Sequence, residues 1–230
     1  MHDDLHLYLP QPTPERPLNG SSVLVVEDSR CSAQAVRLLA LASGARLRRA
    51  DSLAAAHRHL AVYRPTIAIV DMGLPDGCGA ELIAELAATD PRVPVLVGTS
   101  GDPGAEAKAI AAGADGFFAK PIESLALFQQ VLIGLLPAED APRGPRALPT
   151  QVVAPDRDSL VGDLEQAADI MRRGTPPGLA YAAQFLGTVA RAAHDPALET
   201  AARRLAGAPA QAPQVARLVA DRIAQMRAPA

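Results

Sequence analysis

Apolar and polar positions switch between two periods along the first 137 residues. Short apolar runs lie at 22–27 (SVLVVE), 66–70 (TIAIV), 93–99 (VPVLVGT) and 116–119 (GFFA). They are continuous rather than alternating, which suits strands covered on both faces, as in a parallel sheet. A fifth run, RLRRA at 46–50, is too charged for a central strand and fits an edge. Helical spacing fills the gaps. Residues 29–43 put Val36, Leu39 and Leu41 near one side, with Gly44 to stop the helix. Ser52 is placed to cap a helix running to residue 63, and residues 78–88 carry Leu82, Ile83 and Leu86. Asp102-Pro103 predicts an N-cap followed by proline at the first helical position. Residues 123–136 complete the set. Five strand–helix units with short connections predict an open, doubly wound sheet.

Beyond a run of prolines (Pro137, Pro142, Pro145, Pro149, Pro155) only the helical period remains. Four stripes follow. They are Leu160, Leu164, Ala167, Ala168 and Met171; Leu179, Ala182, Ala183, Leu186, Val189 or Ala190, and Ala193; Leu198, Ala201, Ala202 and Leu205; and Val215, Leu218, Val219, Ile223 and Met226. They predict a small all-α domain of four short amphipathic helices. Gly174 and Pro176-Pro177 separate the first two, and Asp195-Pro196 opens the third. The predicted organisation is a disordered, Pro-rich arm at 1–20, an α/β domain at 21–137, a linker at 138–155 and the helical domain at 156–227.

Composition narrows the function classes. The chain has 230 residues, 22 basic and 25 acidic, for a net charge of −3. That balance argues against holding nucleic acid by bulk charge. Aromatics are 3% and Trp is absent, which disfavours stacking platforms. Two cysteines make neither a disulfide framework nor a four-thiolate metal site. No stretch approaches the ~18 apolar residues of a membrane span. The start of the chain carries acids, His and Pro instead of a basic and then apolar leader. A cytoplasmic protein is expected. Among the basic residues only Lys108 and Lys120 are lysine. A lysine in an arginine-rich chain draws attention to the compact ammonium it supplies.

In a doubly wound sheet the site lies beyond the carboxyl ends of the strands. The residues there are Glu27-Asp28, Asp71, Thr99-Ser100 and Lys120-Pro121. Three carboxylates brought to one edge repel unless a cation separates them. Oxygen ligands suit a hard divalent ion such as Mg²⁺. A hydroxyl and an ammonium beside it suit phosphoryl oxygens. The set fits phosphoryl transfer to a carboxylate.

Four segments carry a resemblance: VLVVEDS at 23–29, IAIVDMGLPDGCG at 67–79, VLVGTSG at 95–101 and GADGFFAKPIE at 113–123. In this order and spacing the chain resembles the receiver domains of two-component response regulators, of the chemotaxis type, over about half its length. The resemblance implies a flavodoxin-like, five-stranded parallel sheet of order 2-1-3-4-5. It implies Asp71 as phospho-acceptor, with Glu27, Asp28, Asp71 and the Gly73 backbone carbonyl holding Mg²⁺. It also implies Thr99 and Lys120 as the partners of the phosphoryl oxygens, Phe117 as the switch aromatic, and a cis bond at Lys120–Pro121. A sensor histidine kinase or phosphotransfer protein would donate the phosphoryl group, and the receiver itself would catalyse its transfer and removal. Phe117 as a plain core aromatic is compatible with this. The sequence departs from the family pattern at Cys78, Gly73 and Ser100, all near the acceptor, which is expected to tune the lifetime of the phosphoryl group. Cys31 and Cys78 read as small buried or semi-buried thiols, or as a redox pair.

The helical half admits several readings. Small Ala-rich stripes make a thin core, which points to packing on the α/β half, homodimerisation or partner docking. A helix-turn-helix is the DNA-binding rival, with Arg217, Arg222 and Arg227 meeting phosphates, against which stands the long Pro-rich turn at 206–213. A degenerate phosphotransfer-like bundle is a third, with Arg191 where a phospho-histidine would align. The face of the fourth helix, fifth strand and fifth helix is expected to carry the signal, with 131–136 coupling it to the helices.

Overall fold

The computed structural model describes residues 10–228. Strands β1 (Ser22–Val26), β2 (Arg46–Ala50) and β3 (Ile67–Asp71) alternate with helices α1 (Arg30–Ala42) and α2 (Leu53–Leu60). A small hairpin, β4 (Gly73–Leu74) and β5 (Gly77–Cys78), precedes α3 (Gly79–Ala88). Then come β6 (Val95–Ser100), α4 (Ala105–Ala111), β7 (Gly116–Ala119) and α5 (Leu125–Leu135). The main sheet is parallel, in the order β2-β1-β3-β6-β7. With the hairpin set aside, this is the expected flavodoxin-like order, and β2 is the edge strand the arginines predict.

The apolar runs are continuous because both faces of the sheet are covered. Val23, Val25, Ile67, Ile69, Val95 and Val97 join the core under α1 and α5. Their alternate neighbours Leu24, Val26, Ala68, Val70 and Leu96 join the core under α2, α3 and α4. Ser29, Ser52 and Ser124 cap α1, α2 and α5 through their side chains.

Three local expectations change. Asp102 does not cap α4. Its Oδ1 accepts the Gly104 amide at 2.9 Å in a turn of its own, and the helix begins at Ala105 with Gly104 as N-cap. Residues 10–20, expected in a disordered arm, lie against the end of α1. Leu18 is fully buried, and its amide donates to the Ser43 carbonyl at 2.9 Å. An apolar residue with a core to enter outweighs the prolines around it. The part of the arm at 1–9 lies outside the described residues. Finally, the Pro-rich connection does not run free to its end. Val153 is buried in the first core, and its amide donates to the Glu123 carbonyl at 2.9 Å, while Ser124 and Val152 form an antiparallel bridge. The chain is thus pinned three residues after Lys120.

Four helices follow: α6 (Arg157–Arg173), α7 (Pro176–Ala192), α8 (Pro196–Gly207) and α9 (Ala212–Arg227), with a 3₁₀ turn at Pro209–Gln211. Asp156, Thr175 and Asp195 cap the first three, and Gly174 takes the left-handed conformation (φ 65°) that ends α6. Their apolar stripes meet in a third core. α6 and α7 also pack on α1, and α7 packs on β4. The expected coupling through 131–136 is not the main contact: Leu132 and Leu136 are buried in the first core of the sheet. Among the described residues, no helix is long and apolar enough to cross a membrane.

Candidate functional site

Parallel pairing brings the strand ends together. Asp71 at the end of β3 is in register with Thr99 of β6. Glu27 and Asp28 follow β1, and Lys120 follows β7. Carboxylate oxygens of Glu27, Asp28 and Asp71 all lie within 4.8 Å of one another. All three residues are buried, as are Thr99 and Lys120. Lys120 Nζ lies 2.7 Å from Asp71 Oδ2 and 2.6 Å from Glu27 Oε2. The Gly73 amide donates to Asp71 Oδ1 at 3.2 Å, so both oxygens of this carboxylate are engaged. Thr99 Oγ1 is buried without a hydrogen-bond partner. The Lys120–Pro121 peptide bond is cis.

Three buried carboxylates face one buried ammonium here. Burial pushes Glu27 up to about 8, against the pull of Lys120. Burial likewise raises Asp28 to about 6, with the Tyr181 hydroxyl acting against it. Burial disfavours the Lys120 ammonium, but the carboxylates of Asp71 and Glu27 outweigh it and hold the amine protonated. The cluster is short of positive charge. A hard dication held by Glu27, Asp28 and Asp71 matches that deficit and the oxygen donors present. Thr99 Oγ1 has a free donor for a further oxygen.

Phe117 is half-buried and packs against the second core, with its ring beside Gly98. The cysteines do not form a pair: both are free, Cys31 buried and Cys78 exposed. Exposure of Cys78 departs from the expected burial, because it closes the β4–β5 hairpin outside either core. Burial and the Asp163 carboxylate push the Cys31 thiol well above its ordinary range.

The helical half contributes residues that local sequence patterns do not reveal. The Tyr181 hydroxyl and Gln166 Nε2 both donate to Asp28 Oδ2, the latter at 3.0 Å. Gln184 reaches the backbone of Gly73, and Arg191 that of Gly101. Two signals point toward them. Gly73 and Gly101 leave the rim of the site without side chains, and Asp163 is an acid within the apolar stripe of α6.

The class is thus a doubly wound α/β domain with a buried acidic site, one lysine and one hydroxyl at the carboxyl edge of its sheet. Residues 23–132 match the family described as response regulator receiver domain, and the chain contains a receiver domain of two-component signal transduction. The virulence transcriptional regulatory protein PhoP of Salmonella typhimurium is 34% identical over 114 residues, 48% of this chain and 51% of that protein. The KDP operon transcriptional regulatory protein KdpE of Escherichia coli is 33% identical over 102 residues, 44% of this chain and 45% of that protein. The chain spans about half the length of these curated relatives. Among solved structures, chemotaxis response regulator CheY4 of Vibrio cholerae aligns with a TM-score of 0.46 and 22% identity, covering 50% of this chain and 98% of that one. The receiver domain of the Pseudomonas aeruginosa sensor kinase PA1611, with a magnesium ion in its active-site cleft, aligns with a TM-score of 0.45 and 23% identity, covering 50% and 96%. The matched residues 23–132 end before α6.

Proposed function

We propose that this chain is a phospho-acceptor response regulator. Asp71 takes a phosphoryl group from a phospho-histidine on a sensor kinase or phosphotransfer protein, and residues 156–227 form the output domain. The observation that carries this reading is the placement of Asp71 between two further carboxylates, the Lys120 ammonium and the unpartnered hydroxyl of Thr99. An Asp71 carboxylate oxygen attacks phosphorus; a P–O bond forms as the P–N bond breaks, and the departing imidazole keeps the electron pair. Lys120 neutralises charge on the phosphoryl oxygens, and Thr99 donates to one of them. Glu27, Asp28, Asp71 and the Gly73 carbonyl are the ligands for Mg²⁺, which when bound adds positive charge against the same oxygens. Water attack on the acyl phosphate then returns Asp71 and releases phosphate. Phe117 is the aromatic that follows Thr99.

The output is read as protein docking, a second copy of the chain included. Two of the arginines a DNA reading would need are engaged elsewhere: Arg222 pairs with Asp195 at 2.6 Å, and Arg227 pairs with Glu165. The PhoP and KdpE names make DNA the rival to be tested, by a gel-shift titration across salt.

The direct test is incubation with acetyl phosphate and Mg²⁺, read by intact mass. A phosphoryl adduct is expected that Asp71→Asn abolishes and that chelation of Mg²⁺ with EDTA prevents. An adduct surviving in Asp71→Asn would overturn the assignment.

A further inference from the structure

The acceptor site is closed by the chain's own helices. The Tyr181 hydroxyl and Gln166 occupy Asp28 Oδ2, one of the oxygens a metal ion needs. Asp163 of α6 is fully buried, and its carboxylate accepts from Ser29 Oγ at 2.8 Å, the Arg30 amide at 2.7 Å and the Cys31 amide at 3.0 Å. It is an anion from one half of the molecule seated on the helix N-terminus of the other. The cavity left among Asp71, Lys120, Gly101, Tyr181, Gln184 and Thr188 is about 10 Å³. That is room for about one water molecule, and neither a phosphoryl group nor the imidazole of a donor enters it.

The receiver backbone is shaped for this contact. A Cβ on Gly73 would stand 2.5 Å from Gln184 Nε2, and one on Gly101 would stand 1.9 Å from an Arg191 Nη and 2.9 Å from Thr188 Oγ1. On the other side of the interface, a Cβ on Gly162 would stand 2.7 Å from Arg30 Nη1. Three glycines, none with a positive φ, thus lie where a side chain crosses between the halves. Their lack of a Cβ serves close approach and not turn geometry.

We infer that α6 and α7 are an intramolecular occupant of the phospho-acceptor face, and that their docking and the occupancy of the site by metal and phosphoryl group exclude each other. This rests on the reading of Asp71 as acceptor. The helices must leave for a donor to reach Asp71, and a phosphorylated, metal-loaded site keeps them off. By linkage the two effects are equal: the factor by which docking weakens ligand binding is the factor by which the ligand weakens docking.

The test uses the full chain, with amide hydrogen exchange of residues 157–192 measured with and without Mg²⁺ and beryllofluoride. Exchange is expected to rise on addition in the wild type and to stay unchanged in Asp71→Asn. Asp163→Asn removes the charge-assisted bonds to α1 without touching the acceptor. It is expected to exchange faster with no ligand and to take phosphoryl from acetyl phosphate roughly 10–100-fold faster. Tyr181→Phe keeps the ring stacked on Phe185 and frees Asp28, so it is expected to tighten Mg²⁺ binding by about ten-fold. It decides the matter by calorimetric titration if Asp163→Asn fails to fold. A wild type that takes beryllofluoride while exchange in α6 and α7 is unaltered would overturn the inference and leave the acceptor reading intact. Unchanged Mg²⁺ affinity in Tyr181→Phe would overturn it as well. Absence of any adduct in wild type, Asp163→Asn and Tyr181→Phe would instead overturn the acceptor reading itself.

Discussion

At the scale of single residues, the site depends on side chains that cannot be enlarged. Gly79 opens α3, and a Cβ there would stand 2.0 Å from the Asp71 carbonyl oxygen and 2.8 Å from its carbon. Backbone atoms, unlike the tip of a side chain, cannot step aside. Gly79→Ala is expected to cost roughly 2–3 kcal/mol, the upper part of the range for overpacking. Calorimetry should show the melting temperature falling by roughly 4–12 °C in a chain of this size; an unchanged melting temperature would count against the close approach. Lys120 is constrained in another way. Its ammonium sits between Glu27 and Asp71, 2.6 and 2.7 Å from their carboxylate oxygens, beside a cavity of only about 10 Å³, which suits a compact ammonium and not the larger planar guanidinium. Lys120→Arg is therefore expected to lose the phosphoryl adduct although the charge is kept, and full adduct formation would argue against a steric role. Glu27, Asp28, Asp71, Thr99 and Lys120 were legible in the sequence because each ends a strand, and parallel pairing alone brings strand ends together. Tyr181, Gln184 and Asp163 were not, because their place depends on how one half of the chain lies on the other, which no local period encodes.

At the scale of elements, legibility followed the strength of the local signal. The strands and long helices have strong periods, and most serine, threonine and aspartate caps fell where their side chains can reach an amide. Asp102 shows the limit: an aspartate before a proline also satisfies a tight turn, and here the turn won by holding Gly104. The β4–β5 hairpin is two residues to a strand, too short for any period to register. Asp195 is the cap with the most to lose. It accepts the Ala197 and Leu198 amides at 3.1 and 3.0 Å and pairs with Arg222 of α9 at 2.6 Å, tying two helices at one carboxylate. Asp195→Ala is expected to destabilise the helical half by about 1–2 kcal/mol. Asp195→Asn keeps the cap and loses the ion pair. Burial works against the Asp195 carboxylate, but the Arg222 pairing and the two amides outweigh it and hold its pKa below the ordinary value. A depressed carboxylate stabilises the fold above its unfolded pKa of ~3.9, and that contribution is lost as pH falls through the folded value. The stability gap between wild type and Asp195→Asn should therefore be constant near neutrality and close only in acid. A gap that widened as pH fell would reverse the sign and refute the pairing.

At the scale of the whole molecule, the two halves differ in what holds them. The sheet has a core on each face, and the two together bury 35 hydrophobic residues, nine of them alanine. The helical half has one core of sixteen buried residues, six of them alanine: Ala167, Ala182, Ala183, Ala190, Ala201 and Ala202. Small side chains bury little area, so the contact of α6 and α7 with α1 carries a larger share of the stability of that half. Docking then ties the unfolding of the halves together. Without ligand the wild type is expected to unfold in urea as one transition, with circular dichroism and amide exchange of residues 157–227 agreeing. Mg²⁺ and beryllofluoride at about 100 times their dissociation constant should stabilise the sheet by about 2.7 kcal/mol, while the helices lose their dock. One transition should become two, the helical half melting at lower urea and the sheet at higher. Asp163→Asn should already split the curve without ligand, because the buried anion on α1 is gone. If both halves instead move together to higher urea on adding the ligand, the bound form keeps its helices docked. The helical half would then be a rigid part of the receiver and not its switch.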